Sequence, residues 1–123
     1  MTPFGDRMRK LRAERGVTLK EMADAIGVSS AYLSALEHGK RGRPGWHLIQ
    51  RILTFFNIIW DEAEEVVRLA RISHPRITID TSGLSPKATE LANRLADDIG
   101  RLDAATLDEM LSALEKKRSK AKV

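Results

Sequence analysis

Two short helical patterns separated by three residues constrain this chain more than any other feature of its sequence. Their apolar positions are Leu19, Met22, Ala23 and Ile26 in the first pattern, and Leu33 and Leu36 in the second. Each pattern is too short to be a stable helix alone. Ala23 is small enough to lie where two helices cross, and Gly27 can turn the chain in a left-handed conformation. With the capping box of Thr18 and Glu21, the spacing predicts a helix-turn-helix.

Helical patterns continue on both sides of this pair. A first helix is predicted over residues 3–15, a fourth between Pro44 and Asn57, and a fifth over residues 60–73. Trp46 and Trp60 are expected in the core rather than on the surface as platforms for base stacking. These elements predict a five-helix domain over residues 1–74.

The pattern changes after residue 74. β-Branched side chains alternate in residues 76–81, RITIDT, and this pattern predicts a short strand. Two amphipathic helices follow, capped by Ser85 and Asp103. We expect residues 75–118 to form a dimerisation segment and residues 119–123 to form a basic tail that frays.

The stretch RMRKLRAERGVTLKEMADAIGVSSAYLSALEHGK, residues 7–40, resembles the phage lambda repressor and Cro-like family, also called the XRE family. The resemblance covers roughly residues 4 to 70. It implies an all-α, five-helix lambda-repressor-like bundle whose third helix enters the major groove of double-stranded DNA. It also implies a structural clamp between Arg12 and Glu37. The residues that match the family's base-reading face are Ser30, Ala31, Tyr32, Ser34 and Ala35.

The chain departs from the family in how it would hold DNA. Many members place a glutamine at the start of the second helix, where it contacts phosphate, but this chain has Leu19 there. The predicted recognition helix also lacks early exposed Arg, Lys, Asn or Gln side chains, which make the strong bidentate base contacts. The residues expected at the DNA phosphates or in the minor groove are Thr18, Lys20, Ser29, His38, Lys40, Arg41 and Arg43.

The excess of basic charge lies in the first third of the chain. Residues 1–51 contain ten Lys or Arg and five Asp or Glu, a net charge of +5, whereas the whole chain carries +4. The core of the loop KRGRP, residues 40–44, resembles the AT-hook, an element that places arginines in narrow A·T-rich minor grooves. Three interpretations stay open: phosphate contacts only, insertion of Arg41 and Arg43 into the minor groove, or no role with DNA.

The two C-terminal helices carry more apolar residues than a helical hairpin can cover by itself. A homodimer interface would cover these residues, and the predicted strand could pair with its copy across the two-fold axis. The residues expected there are Ile77, Ile79, Leu91, Leu95, Ile99, Leu107, Met110, Leu111 and Leu114. In the alternative, the helices fold back on the N-terminal bundle. A dimer would separate two recognition helices by about one DNA turn, which predicts a palindromic operator.

Several functional classes find no support in the sequence. The chain has no cysteine, and its three histidines, His38, His47 and His74, lack any short metal-ligand spacing. It has no apolar run of the roughly 18 residues that span a bilayer, and no nucleotide-binding or catalytic motif. We therefore expect no cofactor, no metal, no enzyme activity and no membrane association.

The sequence thus predicts a cytoplasmic, nucleoid-associated transcriptional regulator that binds DNA and represses genes. The alternative is an antitoxin or anti-activator. In that case the main partner would be another protein, bound through the C-terminal helices.

Overall fold

The computed structural model describes the backbone of residues 1–121 and the side chains of residues 1–119. Over this range the chain forms seven α-helices, as the sequence predicted. They are α1 (Pro3–Arg15), α2 (Leu19–Ile26), α3 (Ser30–Glu37), α4 (Trp46–Phe56), α5 (Trp60–Arg71), α6 (Pro86–Asp98) and α7 (Ala104–Ala121). A 3-10 helix, Ile99–Arg101, follows α6. The helices belong to two units, Met1–Ile77 and a second that begins at Thr78.

The first unit has one hydrophobic core to which all five of its helices contribute. The core residues are Phe4, Met8, Leu11, Met22, Ala23, Ile26, Leu33, Leu36, Ile49, Ile52, Phe56, Ile58, Val66 and Ala70. Burying a large aliphatic or aromatic side chain stabilises a fold by about 1.5–3 kcal/mol. This core therefore holds α2 and α3, which are only 8 residues long each, at positions that neither could keep alone.

The turn between α2 and α3 has the predicted chemistry. Thr18 and Glu21 form the reciprocal capping box at the start of α2. Gly27 ends α2 with φ 79°, in the left-handed region that favours glycine. The N–H of Val28 then donates to the carbonyl of Ala23 at 3.0 Å, and Ala23 is fully buried at the crossing. These features form the turn of the helix-turn-helix.

The start of α1 lies directly against the end of α3. A Cβ atom on Gly5 would be 2.1 Å from the carbonyl oxygen of Glu37, so only glycine fits there. The N–H of Thr2 donates to that same oxygen at 3.0 Å. On the other side of α1, the N–H of Phe4 donates to the hydroxyl of Ser73 at 2.9 Å. The first turn of α1 therefore connects the end of α3 with the residues that follow α5.

The two tryptophans are exposed, so their predicted place in the core was wrong. Trp46 is 60% exposed and Trp60 is 81% exposed. The buried stripe of α4 is Ile49, Ile52 and Phe56, and Trp46 lies to one side of it at the helix's first turn. Trp60 begins α5 with φ 56°, in the left-handed region.

The predicted strand over residues 76–81 does not form; the described part of the chain contains no strand. Ile77 and Ile79 are exposed in irregular backbone. Because residues 1–121 offer no second strand to pair with, an isolated extended segment gains no ladder of hydrogen bonds.

The second unit is a pair of helices with predicted caps. Ser85 accepts a hydrogen bond from the N–H of Ala88 at 3.3 Å, and Asp103 accepts one from the N–H of Thr106 at 2.8 Å. Helix α6 ends at Asp98, two residues before the predicted end at Gly100.

The expected frayed tail is in part helical. Helix α7 continues to Ala121, through the first three residues of the predicted tail, because Lys, Arg and Ala favour helix and no breaker interrupts them. The last two residues of that predicted tail, 122 and 123, lie outside the described residues.

Candidate nucleic-acid interface

The outer face of α3 is the surface that the sequence identified as base-reading. Leu33, Leu36 and Glu37 face the core. Ala31 is exposed, and the residues around it are partly exposed, namely Ser30, Tyr32, Ser34 and Ala35. Except for Tyr32, the side chains on this face of α3 are small.

The hydroxyl of Ser29 holds the N-terminus of α3. It accepts a hydrogen bond from the N–H of Tyr32 at 3.0 Å. This cap satisfies one of the free N–H groups of the first turn. The remaining N–H groups and the positive end of the helix dipole favour a nearby anion. Ser29 itself is exposed beside them.

The C-terminus of α3 is closed by its own backbone. Gly39 has φ 79°, and the N–H of Lys40 donates to the carbonyl of Ala35 at 2.8 Å. The imidazole Nδ1 of His38 lies 2.8 Å from the carbonyl oxygen of Ser34. The backbone that carries His38 and Lys40 is therefore held by hydrogen bonds, and both side chains are exposed.

The two arginines of the basic loop lie on different surfaces. The guanidinium carbon of Arg41 is 5.8 Å from the centre of the Tyr32 ring, on α3. Arg43 instead lines a groove of about 250 Å³ between α4 and α5, together with Trp46 and Arg71. Gly42, between them, has φ 79° and redirects the chain. The sequence analysis predicted the same role for both arginines. Nothing in their spacing indicated that their side chains lie on different surfaces.

A buried ion pair fixes α3 to the rest of the first unit. The guanidinium of Arg12 donates two hydrogen bonds to the carboxylate of Glu37: one is 3.0 Å long, and the other joins Nη1 to Oε2. The Nη1 atom also lies 3.5 Å from the sulfur of Met22. Glu37 is only 2% exposed, and Arg12 replaces the water contacts that its carboxylate loses on burial. The pair joins α1, α2 and α3 at one point.

Thr18 and Lys20 at the start of α2 have different roles in the fold. The hydroxyl of Thr18 accepts from the N–H of Glu21 at 3.0 Å and is therefore occupied by the cap. Lys20 is exposed, and within residues 1–119 no hydrogen bond or ion pair holds its ammonium group. Of the two, Lys20 is the side chain that is available to an external anion.

One further contact behind this surface has no signature in the local sequence. The guanidinium of Arg51, on α4, donates to the carbonyl of Ile26 at 3.3 Å, at the last residue of α2. It supports the end of α2 just before the turn at Gly27.

The residues predicted to form a dimer interface are largely exposed in the single chain. Leu91, Ile99, Leu111 and Leu114 are between 55% and 65% exposed, and Leu95 and Leu107 are partly covered. No residue between 78 and 119 is buried. The second unit therefore presents apolar side chains along both of its helices.

Two other findings apply to the described part of the chain. Over that range no helix is both long enough and apolar enough to cross a membrane. The described side chains also contain no cluster of three or more His, Cys, Asp or Glu that could hold a metal ion.

A family model described as a helix-turn-helix domain matches residues 3–66. The chain belongs to this helix-turn-helix family. The match confirms the resemblance to the XRE family that was predicted from the sequence of α1, α2 and α3. It covers the clamp, α3 and the basic loop that follows.

Curated relatives share this helix-turn-helix domain. The uncharacterized HTH-type transcriptional regulator RghRB of Bacillus subtilis (strain 168) is 36% identical over 61 residues, which are 50% of this chain and 44% of that protein. The HTH-type transcriptional repressor RghR of the same strain is 38% identical over 61 residues, 50% of this chain and 45% of that protein. The HTH-type transcriptional regulator SinR, also of that strain, is 28% identical over 55 residues, 45% of this chain and 50% of that protein. The chain thus spans about half the length of the curated relatives it matches.

A solved SinR protein/SinI protein complex aligns with 94% of this chain and 98% of the solved chain. The sequence identity is 21% and the TM-score is 0.44.

Proposed function

We propose that this protein is a sequence-specific DNA-binding transcriptional regulator that represses genes by occupying an operator. The observation that carries the proposal is the outer face of α3. It is free of large side chains apart from Tyr32, it is fixed from behind by the Arg12–Glu37 pair, and it adjoins the cationic side chains of Lys40 and Arg41. A helix so held can enter a major groove about 12 Å wide while the neighbouring cations contact phosphate.

The charge distribution and the relatives support this function. The excess of positive charge lies in residues 1–51, which include the whole of α3 and the basic loop. RghR is named a transcriptional repressor, and RghRB and SinR are named transcriptional regulators. In this proposal Lys20, Lys40 and Arg43 contact phosphates, and the first turn of α3 contacts base edges.

The protein acts as a homodimer on a palindromic operator. The support is the second unit, where apolar side chains of α6 and α7 are exposed and no residue from 78 to 119 is buried. Covering this surface with a second copy removes apolar area from water, at about 25 cal/mol for each Å². A two-fold dimer then presents two α3 helices to two half-sites, about 34 Å apart.

Selection of bound fragments from random duplexes tests both parts of the proposal. We expect an enriched inverted repeat with a centre-to-centre spacing of about 10 base pairs or a multiple of it. Affinity should fall steeply as salt rises, because phosphate contacts release counterions. Light scattering should give the mass of two chains. A protein that binds no duplex at low salt would refute DNA binding. A monomer on a single half-site would refute the dimer and favour α6 and α7 covering their own chain.

A second function is favoured by the same apolar helices. In this alternative, the protein is an antitoxin or anti-activator, and α6 and α7 bind a different protein. Replacing Leu111 and Leu114 by lysine separates the two functions. Loss of self-association together with weaker operator binding supports the homodimer. Unchanged mass and operator binding, with loss of a co-purified partner of defined mass, supports the alternative.

A further inference from the structure

The recognition helix lacks the side chains that usually discriminate bases. Ser30, Ala31 and Ser34 offer single hydrogen bonds or methyl contacts, whereas bidentate Arg, Lys, Asn or Gln contacts supply most of the discrimination between base pairs. If the protein binds DNA specifically, as proposed above, some of that specificity must come from a residue outside α3.

Arg41 reaches the base-reading end of α3 from the following loop. Its neighbour Lys40 is tied to Ala35 by a backbone hydrogen bond of 2.8 Å. From there the side chain of Arg41 extends back along the helix, so that its guanidinium lies 5.8 Å from the centre of the Tyr32 ring. Tyr32 is three residues, or about 4.5 Å of helix, closer to the N-terminus than Ala35. The N-terminal residues of a recognition helix are the ones that contact base edges.

The geometry of this contact suits base recognition better than phosphate contact. A guanidinium over an aromatic ring is attracted by the ring's negative face, which restricts its position. Its N–H groups remain free, because within residues 1–119 no carboxylate or carbonyl pairs with Arg41. The left-handed Gly42 meanwhile directs Arg43 to the groove between α4 and α5. The loop therefore separates one arginine at the recognition face from another that lies elsewhere.

We infer that Arg41 is a specificity-determining residue, which donates two hydrogen bonds to O6 and N7 of a guanine in the major groove. Tyr32 is its positioning residue, since the ring holds the guanidinium beside α3. Arg43 has a different task and contributes attraction to phosphate without base preference. Arg41, in the loop, thus makes the bidentate contact that no side chain of α3 can make.

Three substitutions at two positions test this inference on an operator selected with the wild-type protein. Affinity is measured for that operator and for a random duplex of equal length, and the ratio of the two affinities is the specificity. Arg41→Ala should lower the ratio by about 5-fold to 140-fold, the fold-change that corresponds to the loss of one bidentate pair. Arg41→Lys keeps the charge and a donor that can reach guanine but loses the planar fork, so it should lower the ratio less than Arg41→Ala does. Arg43→Ala, the matched control, should weaken both duplexes by a similar factor and leave the ratio unchanged.

Selection with the variants gives a second readout. Arg41→Ala should lose its preference at one base pair in each half-site and keep it elsewhere. Tyr32→Phe retains the ring and should keep more of the wild-type ratio than Tyr32→Leu. Tyr32→Leu should lower the ratio, with little further loss when it is combined with Arg41→Ala.

Two results would overturn the inference. If selection with Arg41→Ala keeps the wild-type preference at every base pair, Arg41 reads no base. If Arg41→Ala weakens both duplexes equally, it contacts phosphate. Neither result touches the proposed function, which fails separately if the wild-type protein prefers no sequence over random duplexes.

Discussion

Replacing Gly5 by alanine should destabilise the first unit strongly, although alanine is the better helix former. A Cβ atom at this position would lie 2.1 Å from the carbonyl oxygen of Glu37 and 2.8 Å from its Cα. Helices α1 and α3 would have to separate by about 1.3 Å, the difference between 2.1 Å and the 3.4 Å at which ordinary contact begins. The obstructing atoms are backbone, so no rotamer change can relieve the overlap.

The expected loss of stability is the sum of two destabilising contributions and one stabilising contribution. Overpacking costs up to about 3 kcal/mol, and we take that upper value because the clash is with backbone. Weakening the hydrogen bond from the N–H of Thr2 to Glu37 adds about 1 kcal/mol. Better helix propensity offsets about 1 kcal/mol. The net loss of about 3 kcal/mol should lower the Tm by more than about 10 °C for a unit of this size.

Circular dichroism during thermal unfolding measures this change, because five of the seven helices in the described chain lie in the first unit. Gly100→Ala is the matched control: its Cβ would meet nothing within 4 Å, and the Tm should stay within about 2 °C of wild type. A Gly5→Ala protein with an unchanged Tm would refute the close approach of α1 to α3.

Further predictions concern the clamp, a helix cap and the tryptophans. Glu37→Gln should destabilise the fold by about 3 kcal/mol in urea unfolding, because it leaves the Arg12 guanidinium without its counter-charge; Arg12→Met combined with Glu37→Leu should recover most of that loss. Hydrogen bonds from Thr106, through its side chain and its N–H, hold the pKa of Asp103 below its ordinary value. Its stabilisation of α7 is therefore present above about pH 4 and is lost as the pH falls through the lowered pKa. Circular dichroism should show that loss in the wild type and not in Asp103→Asn, whose cap does not titrate. Acrylamide should quench most of the native fluorescence, since both tryptophans are exposed; native emission that resists quenching would contradict their exposure.

Local signals predicted most of the first unit. Capping at Thr18 and the left-handed Gly27 are short-range features, and the apolar spacing around them leaves one way to bury both short helices. The sequence therefore predicted α1, α2 and α3 with bounds close to those observed. The sequence analysis also identified the outer face of α3, because its residues are the ones that do not fit the apolar stripe of the core. That these residues read bases stays a prediction.

Features that depend on distant parts of the chain could not be predicted in this way. The alternation in residues 76–81 is typical of a strand, but a strand needs a partner and the described chain supplies none. Trp46 fits an apolar spacing in α4, yet the core is reached by Ile49, Ile52 and Phe56, and the tryptophan lies beside that stripe. The contact between Arg41 and Tyr32 depends on two left-handed glycines, which determine where the loop goes but leave no periodic pattern.

The central claim, that the outer face of α3 binds DNA, is tested most directly by one pair of matched variants. Ala31 on α3 and Ala13 on α1 are both exposed helical alanines, and each can be replaced by glutamate. Glutamate in the first turn of α3 suits the helix dipole, so Ala31→Glu should keep the wild-type Tm. It should nevertheless lower affinity for the selected operator by at least about 100-fold, because a carboxylate would face the base edges and phosphates. Ala13→Glu should lower it by less than about 5-fold, as expected for an added charge away from the interface. Equal affinities for the two variants would contradict the account.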